Sequence, residues 1–228
     1  MASRFGAFGK LPALGDFLRM DLPQGFVDPW DRWLQEGMVA AKGALGDRWQ
    51  DCYFSAPLWR FALSPGLAGA SAMLGVMMMS VDRVGRQFPL TLASPLGDGA
   101  PVLVQHFISS DVYGELEALA LDALEDGMTK DVLAQRLGAM ALPQAPDLPQ
   151  MQAAQGGLVL RGSAAHGMVP ELAAMQAGAR FRKPSVWAAE LDDGLRLMVC
   201  EGLPAGGQLM GLFDMMAQVW QPAEAEPA

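Results

Sequence analysis

The chain has little of what most reactive sites are built from. Among its 228 residues are two cysteines and two histidines. Cys52 and Cys200 form neither a disulfide framework nor the paired Cys or Cys/His spacing of a zinc site, so a reducing compartment is expected, with Cys200, next to Leu197-Met198-Val199, a buried thiol. A nucleophilic triad needs a histidine base beside a serine or cysteine, and neither His106 nor His166 lies next to a nucleophile-elbow motif. Positive charge is also scarce: 16 Lys and Arg stand against 25 Asp and Glu, for a net charge of −9. Phosphate recognition rests on clustered cations, which argues against nucleic acid as a partner. The tightest basic cluster is Arg180, Arg182 and Lys183, which reads as a solvated strand edge. Long hydrophobic runs are missing as well. The longest, Ala72 to Met79, contains a glycine and falls far short of the ~20 residues that span a bilayer. The N-terminus has no continuous apolar stretch of the signal-peptide kind, so neither export nor membrane insertion by its own signals is expected.

What is present suits a folded core: 51% of residues are apolar and 18% charged. The glycines and prolines of Phe5 to Phe17 predict a short strand entering a tight turn. Asp28 and Pro29 open a predicted helix in which Trp30, Trp33, Leu34, Met38 and Ala41 share a face, closed by Gly43. Strands are predicted at Leu58 to Leu63, Ser71 to Ser80 and Phe88 to Ala93. The last two are apolar at nearly every position, and the short loop Val81 to Gln87 between them implies antiparallel pairing. Helices capped by Asp111 and Thr129 and stopped by Gly127 and Gly138 follow. Residues 142–157 carry prolines and glutamines without periodicity and read as a loop or linker. Beyond it, Leu158 to Leu160 is a strand candidate and Pro170 to Ala177 a short helix. Val186 to Ala189 and Leu195 to Cys200 form a hairpin through Asp192-Asp193-Gly194, and Gln208 to Trp220 reads as a final amphipathic helix. The pattern predicts an α/β fold: a three-layer α/β/α sandwich on a mixed, partly antiparallel sheet. Residues 1–220 would form one domain, followed by a disordered acidic tail at 221–228.

No motif for catalysis, cofactor or metal emerges from these elements. Gly9-Lys10 is followed by Leu11-Pro12, which removes both the hydroxyl and the backbone donor of a phosphate-binding loop. Asp28 with Asp31 suits a first helical turn, Asp192 with Asp193 builds a turn, and His106 reads as a polar residue at a strand end. The loop Ser80 to Leu90 stands out, with Asp82, Arg83 and Arg86 between two hydrophobic strands. An Asp82 to Arg86 ion pair with Gly85 at positive φ would order it, and a scaffolded loop of this kind also makes a recognition tip. Trp49 and Trp220 are the tryptophans least fixed by pattern, hence candidate binding anchors.

Four segments in order carry a resemblance. They are Gly6-Ala7-Phe8-Gly9-Lys10-Leu11-Pro12-Ala13-Leu14-Gly15-Asp16-Phe17, Asp28-Pro29-Trp30-Asp31 with Trp33-Leu34, Pro57-Leu58-Trp59-Arg60-Phe61, and Ser80 to Leu90. Together they resemble the signature blocks of the TagF (ImpM) proteins of bacterial type VI secretion. The resemblance implies a cytoplasmic α/β/α accessory protein without catalytic residues or cofactor, acting after translation as a negative regulator by binding the forkhead-associated scaffold protein of that system. Some members are fused to a PP2C-type phosphatase, whose repeated metal-binding aspartates this chain does not show. Asp16, Arg60, Asp82, Arg83 and Arg86 are the polar members expected near a shared protein-binding surface. Two alternatives stand beside this reading: a structural subunit of the apparatus, and a hydrolase assembled from Asp16, Arg60 and a histidine.

Overall fold

The computed structural model describes residues 4–97, 99, 101–125, 127–144, 150–154, 157–161 and 169–221. The chain runs through β1 (Gly6–Gly9), β2 (Leu18–Met20), α1 (Val27–Leu45), α2 (Trp49–Ser55), β3 (Trp59–Leu63), β4 (Met73–Met78) and β5 (Leu90–Pro95). Three helices follow, α3 (Val102–Ile108), α4 (Ser110–Asp122) and α5 (Lys130–Ala139), then β6 (Gln150–Ala154), β7 (Gly157–Arg161) and α6 (Val169–Arg180). The chain closes with β8 (Pro184–Leu191), β9 (Gly194–Glu201) and the short α7 (Gly207–Met210). Seven strands form one sheet in the order β2-β1-β5-β4-β3-β8-β9, and β6 pairs with β7 apart from it.

Strand alternation divides the interior into two cores. Trp59, Phe61 and Leu63 of β3, Met73 and Met77 of β4 and Trp187 and Ala189 of β8 pack with α1 and α2 on one face. Ala62, Leu74, Val76, Met78, Leu90 and Leu92 face the other way, onto Val112, Tyr113, Leu116 and Leu119 of α4 and Leu133 of α5. Helices thus cover both faces, which is why the central strands are apolar along their whole length. The first core is aromatic: Trp30 stacks on Trp187 at 6.1 Å between ring centroids and lies 4.9 Å from Phe61. Its indole N–H donates to Thr91 Oγ1 at 2.9 Å, so this buried donor is satisfied within the core.

The α/β layering follows the sequence pattern, but the expected parallel component of a mixed sheet does not occur among the described strands. Every pairing is antiparallel, including the sequence-distant β1 with β5 and β3 with β8. Burial on both faces is compatible with either direction, so hydrophobicity alone did not decide it. Other boundaries also move. Phe26, not Asp28, is the N-cap of α1, with Asp28 in the first turn, and the helix passes through Gly43 to end at Gly46. Ser109 precedes α4, leaving Asp111 in its first turn, and α4 stops at Asp122, before Gly127. Thr129 caps α5 as expected, its hydroxyl accepting from the Val132 amide. Part of the expected linker is strand, since β6 takes up residues 150–154. The disordered tail expected from 221 lies, from 222 onward, outside the described residues.

The predicted helix Gln208 to Trp220 breaks after α7, with a 3-10 turn at Gln218–Trp220 beyond the break. Two side chains take the groups a longer helix needs. Asp214 Oδ1 accepts the Met216 amide at 2.9 Å, and the Trp59 indole donates to the Leu212 carbonyl at 2.9 Å. Leu209, Leu212 and Phe213 still reach the core, so helical periodicity is satisfied by an irregular path.

Candidate functional site

Two segments meet at one end of the sheet, residues 10–17 after β1 and residues 79–89 between β4 and β5. Gly9 brings them together. Its φ is +131°, and any Cβ there would collide with the Pro89 carbonyl. Lys10, next in the chain, is buried; its carbonyl accepts from Ser80 Oγ at 2.9 Å, and its Nζ lies 3.0 Å from Asp82 Oδ2.

Asp82 is the hub of the 81–87 loop. Its Oδ1 accepts the amides of Val84 and Arg86 at 3.0 and 2.9 Å, and its Oδ2 accepts Arg86 Nε at 2.6 Å. Gly85 has a φ of +80° and donates its amide to the Asp82 carbonyl, closing the turn. Burial alone would push the Asp82 carboxyl up. The Arg86 amide, the Lys10 and Arg86 cations and the Val84 amide overcome this and hold it well below the usual carboxylate range. The two segments are stitched by Arg86 Nη2 donating to the Gly15 carbonyl at 2.7 Å and by the Arg83 amide donating to the Leu14 carbonyl at 3.2 Å. Behind the loop, Tyr53 donates to the Ser80 carbonyl at 2.7 Å and Trp49 to Gln87 Oε1 at 2.8 Å, which fastens it to α2.

The sequence-predicted residues therefore separate. Asp82 and Arg86 form the expected ion pair, Arg83 shares their loop, and Asp16 stands on the adjoining turn, exposed. Asp82 itself is enclosed rather than on the surface, because its carboxylate serves the turn. Arg60 joins a different cluster on β3. Its guanidinium forks onto Glu117 of α4 at 2.6 and 2.8 Å and reaches Glu190 of β8 at 2.6 Å, while lying over the Tyr113 ring. Among the described residues Arg60 shares no polar partner with the loop; it fixes α4 to the sheet.

Three surface members were not among the site residues expected from the sequence: Phe17, Val84 and Arg19. Phe17 packs against Phe88 at 4.8 Å and Phe8 at 5.9 Å between centroids, yet is 49% exposed, and Val84 at the loop tip is 69% exposed. For Phe17 and Val84 the signal was an apolar residue directly after a charged one at a turn, Asp16 and Arg83 respectively. Neither expected tryptophan anchor is free. Trp49 is buried, and Trp220 stacks on Trp59 at 5.9 Å with its indole donating to the Gly211 carbonyl.

His106 lies in α3, not at a strand end, and is buried. Its Nδ1 is 2.9 Å from the Tyr113 hydroxyl, which is itself 2.9 Å from the Phe61 carbonyl. The carbonyl can only accept, so Tyr113 donates to it and His106 Nδ1–H donates to Tyr113. Burial, helped by the Arg60 charge, pushes the imidazole down to about 4, leaving it neutral. His166 lies outside the described residues. A cavity of about 260 Å³ between β2 and α1 is lined by Arg19, Asp21, Leu22 and Asp28, and one of about 330 Å³ beside α4 and α5 by Glu115, Arg136 and Met140. His106, Asp16 and Arg60 line neither of these two cavities; Arg60 and His106 meet around Tyr113, while Asp16 stands on the 10–17 turn.

Comparison with known proteins gives this geometry a context. The family model of the TagF N-terminal domain, type VI secretion system-associated, matches residues 6–140. The chain belongs to the TagF family. The matched span contains both segments of the loop site. The crystal structure of PA0076 from Pseudomonas aeruginosa PAO1 is similar over 98% of this chain and 100% of that one, with 34% sequence identity and a TM-score of 0.77. That likeness extends past residue 140 to β8 and β9. No curated protein matches. Membership makes this TagF-family chain a type VI secretion accessory protein, and the family is an accessory domain rather than an established enzyme family. Among the described residues no helix is long and apolar enough to cross a membrane.

Proposed function

We propose that this chain restrains type VI secretion after translation by binding the forkhead-associated scaffold protein of that system in the cytoplasm. The surface is the end of the sheet formed by residues 10–17 and 81–87. The observation that carries the reading is the Asp82 hub, which holds the loop in one shape while leaving Arg83 exposed and, among the described residues, without an ion-pair partner. A recognition loop ordered before its partner arrives loses little conformational freedom on binding. Arg83 and Arg86 provide its attractive polar contacts, Asp16 stands at their edge on the adjoining turn, and Asp82 acts beneath them as a positioning residue. Residues 1–220 act as one unit in this reading, supported by β8 lying against β3 in the same sheet.

The test is titration calorimetry of the purified chain against the full-length scaffold, together with a secretion assay in cells overproducing the chain. Wild type should bind and depress secretion. Arg83→Glu should weaken binding by about tenfold or more at an unchanged Tm. Arg86→Glu is the wrong probe, since it would set a second carboxylate against Asp82. A wild-type chain that neither binds the scaffold nor lowers secretion, but co-purifies with the assembled apparatus, would replace this reading with that of a structural subunit.

A further inference from the structure

The loop site has an apolar centre and a cationic frame that the family assignment does not specify. Phe17 exposes half of its ring, with Lys10 Nζ 5.1 Å from its centroid. Phe8 beneath it carries the Arg19 guanidinium at 5.8 Å. The Arg83 guanidinium reaches over Gly15, and Arg86, 61% exposed, clasps the Gly15 carbonyl. Arg83 and Arg86 thus meet the turn two residues before Phe17, Arg19 lies over the Phe8 ring on which Phe17 stacks, and Val84 is exposed on the loop that carries Arg83 and Arg86. In a chain of net charge −9 this concentration of cations is the opposite of the average surface.

The carboxylates nearby cancel only part of it. Asp82 is enclosed and engaged by Lys10 and Arg86, Asp28 touches Arg19 only at 3.5 Å with both side chains open to solvent, and Asp21 pairs with Arg4 at 3.3 Å. Asp16 is the one acid left exposed and without an ion-pair partner on the 10–17 turn among the described residues. Lys10, Arg83 and Arg86 against Asp82 and Asp16 leave one net positive charge at the loop, beside an exposed ring and a valine.

We propose that Phe17 and Val84 form the anchor of the docking surface, and that it takes an acidic segment of the partner scaffold carrying an apolar side chain. This rests on the scaffold-binding reading above. The apolar group would cover the Phe17 ring and Val84, while the partner's carboxylates meet Arg83, Arg19 and the free edge of Arg86. Aromatic and arginine anchors at the centre of a patch carry most of an interface's energy, and charge complementarity mainly sets the encounter rate and salt dependence. Asp16 then opposes the partner, so its removal should help.

The experiment titrates the full-length chain into the full-length forkhead-associated scaffold at low and high salt. The variants are Val84→Asp, Arg83→Ala and Asp16→Asn; Val84 and Arg83 project from the loop, so fold loss is not expected, and Tm is checked for each. The expected result is binding weakened about tenfold or more by Val84→Asp and by high salt, weakened by Arg83→Ala, and tightened by Asp16→Asn. Wild-type binding that is indifferent to salt and to both Val84→Asp and Arg83→Ala would overturn the anchor while leaving scaffold binding intact. Absence of wild-type binding would overturn the scaffold reading itself. Self-association of wild type by light scattering, abolished by Val84→Asp, would make a second copy of the chain the occupant and equally refute the proposal.

Discussion

His106 should make stability depend on pH in a window where few other groups titrate. In the folded chain its imidazole is held down to about 4 by burial and by Arg60, whereas in the unfolded chain it titrates near 6.5. Below about 6.5 the unfolded state therefore binds a proton that the folded state refuses until about pH 4, so stability is full above that window and falls as pH drops through it. Between pH 7 and pH 5 the linkage relation gives a loss of about 2 kcal/mol, using these two values. For a domain of this size that lowers Tm by roughly 4–8 °C. The assay is urea unfolding followed by tryptophan fluorescence at the two pH values, in wild type, His106→Gln and His166→Gln. Gln at 106 can still donate to Tyr113 but does not titrate, so its slope should flatten, while His166→Gln reports the other imidazole. A wild-type loss below about 0.5 kcal/mol, or an unchanged slope in His106→Gln, would refute the account of a neutral histidine locked between α3, α4 and β3.

Two further outcomes test how the loop is built. Lys10→Met leaves Asp82 with Arg86 and two amides but without its buried partner, and should cost about 1–3 kcal/mol, read as a lower urea midpoint, with faster amide exchange at Val84 and Arg86. Gly9→Ala combines a positive φ with a backbone collision at Pro89 and should cost about 3 kcal/mol or more by the same unfolding assay, unlike Arg83→Glu, which should leave stability untouched.

How far the sequence reached depends on the range of each interaction. The first long helix follows from the spacing of Trp30, Leu34 and Ala41, and the β8–β9 hairpin from Asp192-Asp193-Gly194, because both are signals within a few residues of each other. The Asp82 to Arg86 pair is equally local and was readable. The Lys10 to Asp82 contact spans the whole of α1, α2, β3 and β4, and a lysine that follows a glycine in sequence normally reads as solvated. Arg60 misled for a related reason. Its place in one of the four resembling segments put it among the polar residues expected near a shared surface, but strand alternation points it at α4, where Glu117 supplies a fork that only the packed layers bring near. Trp220 was ambiguous because the helix expected to carry it ends where Trp59 and Asp214 capture its backbone groups.

The charged interior of the loop also bears on what kind of site this is. Buried ion pairs are poor stabilisers, because desolvation offsets much of their attraction, and apolar replacements of similar volume often serve stability as well or better. Apolar packing alone, however, would not aim Arg86 at the Gly15 carbonyl or hold the Val84 and Arg86 amides on one carboxylate oxygen. Directional bonds fix the path of a five-residue turn in a way that dispersion does not. On this argument the cluster of Lys10, Asp82 and Arg86 matters for the shape it imposes. Replacing Lys10 and Asp82 together by Met and Leu should then recover most of the Tm lost in Lys10→Met alone and still lose scaffold affinity. Recovery of both stability and affinity in that double variant would show that the loop needs only to be packed, not aimed.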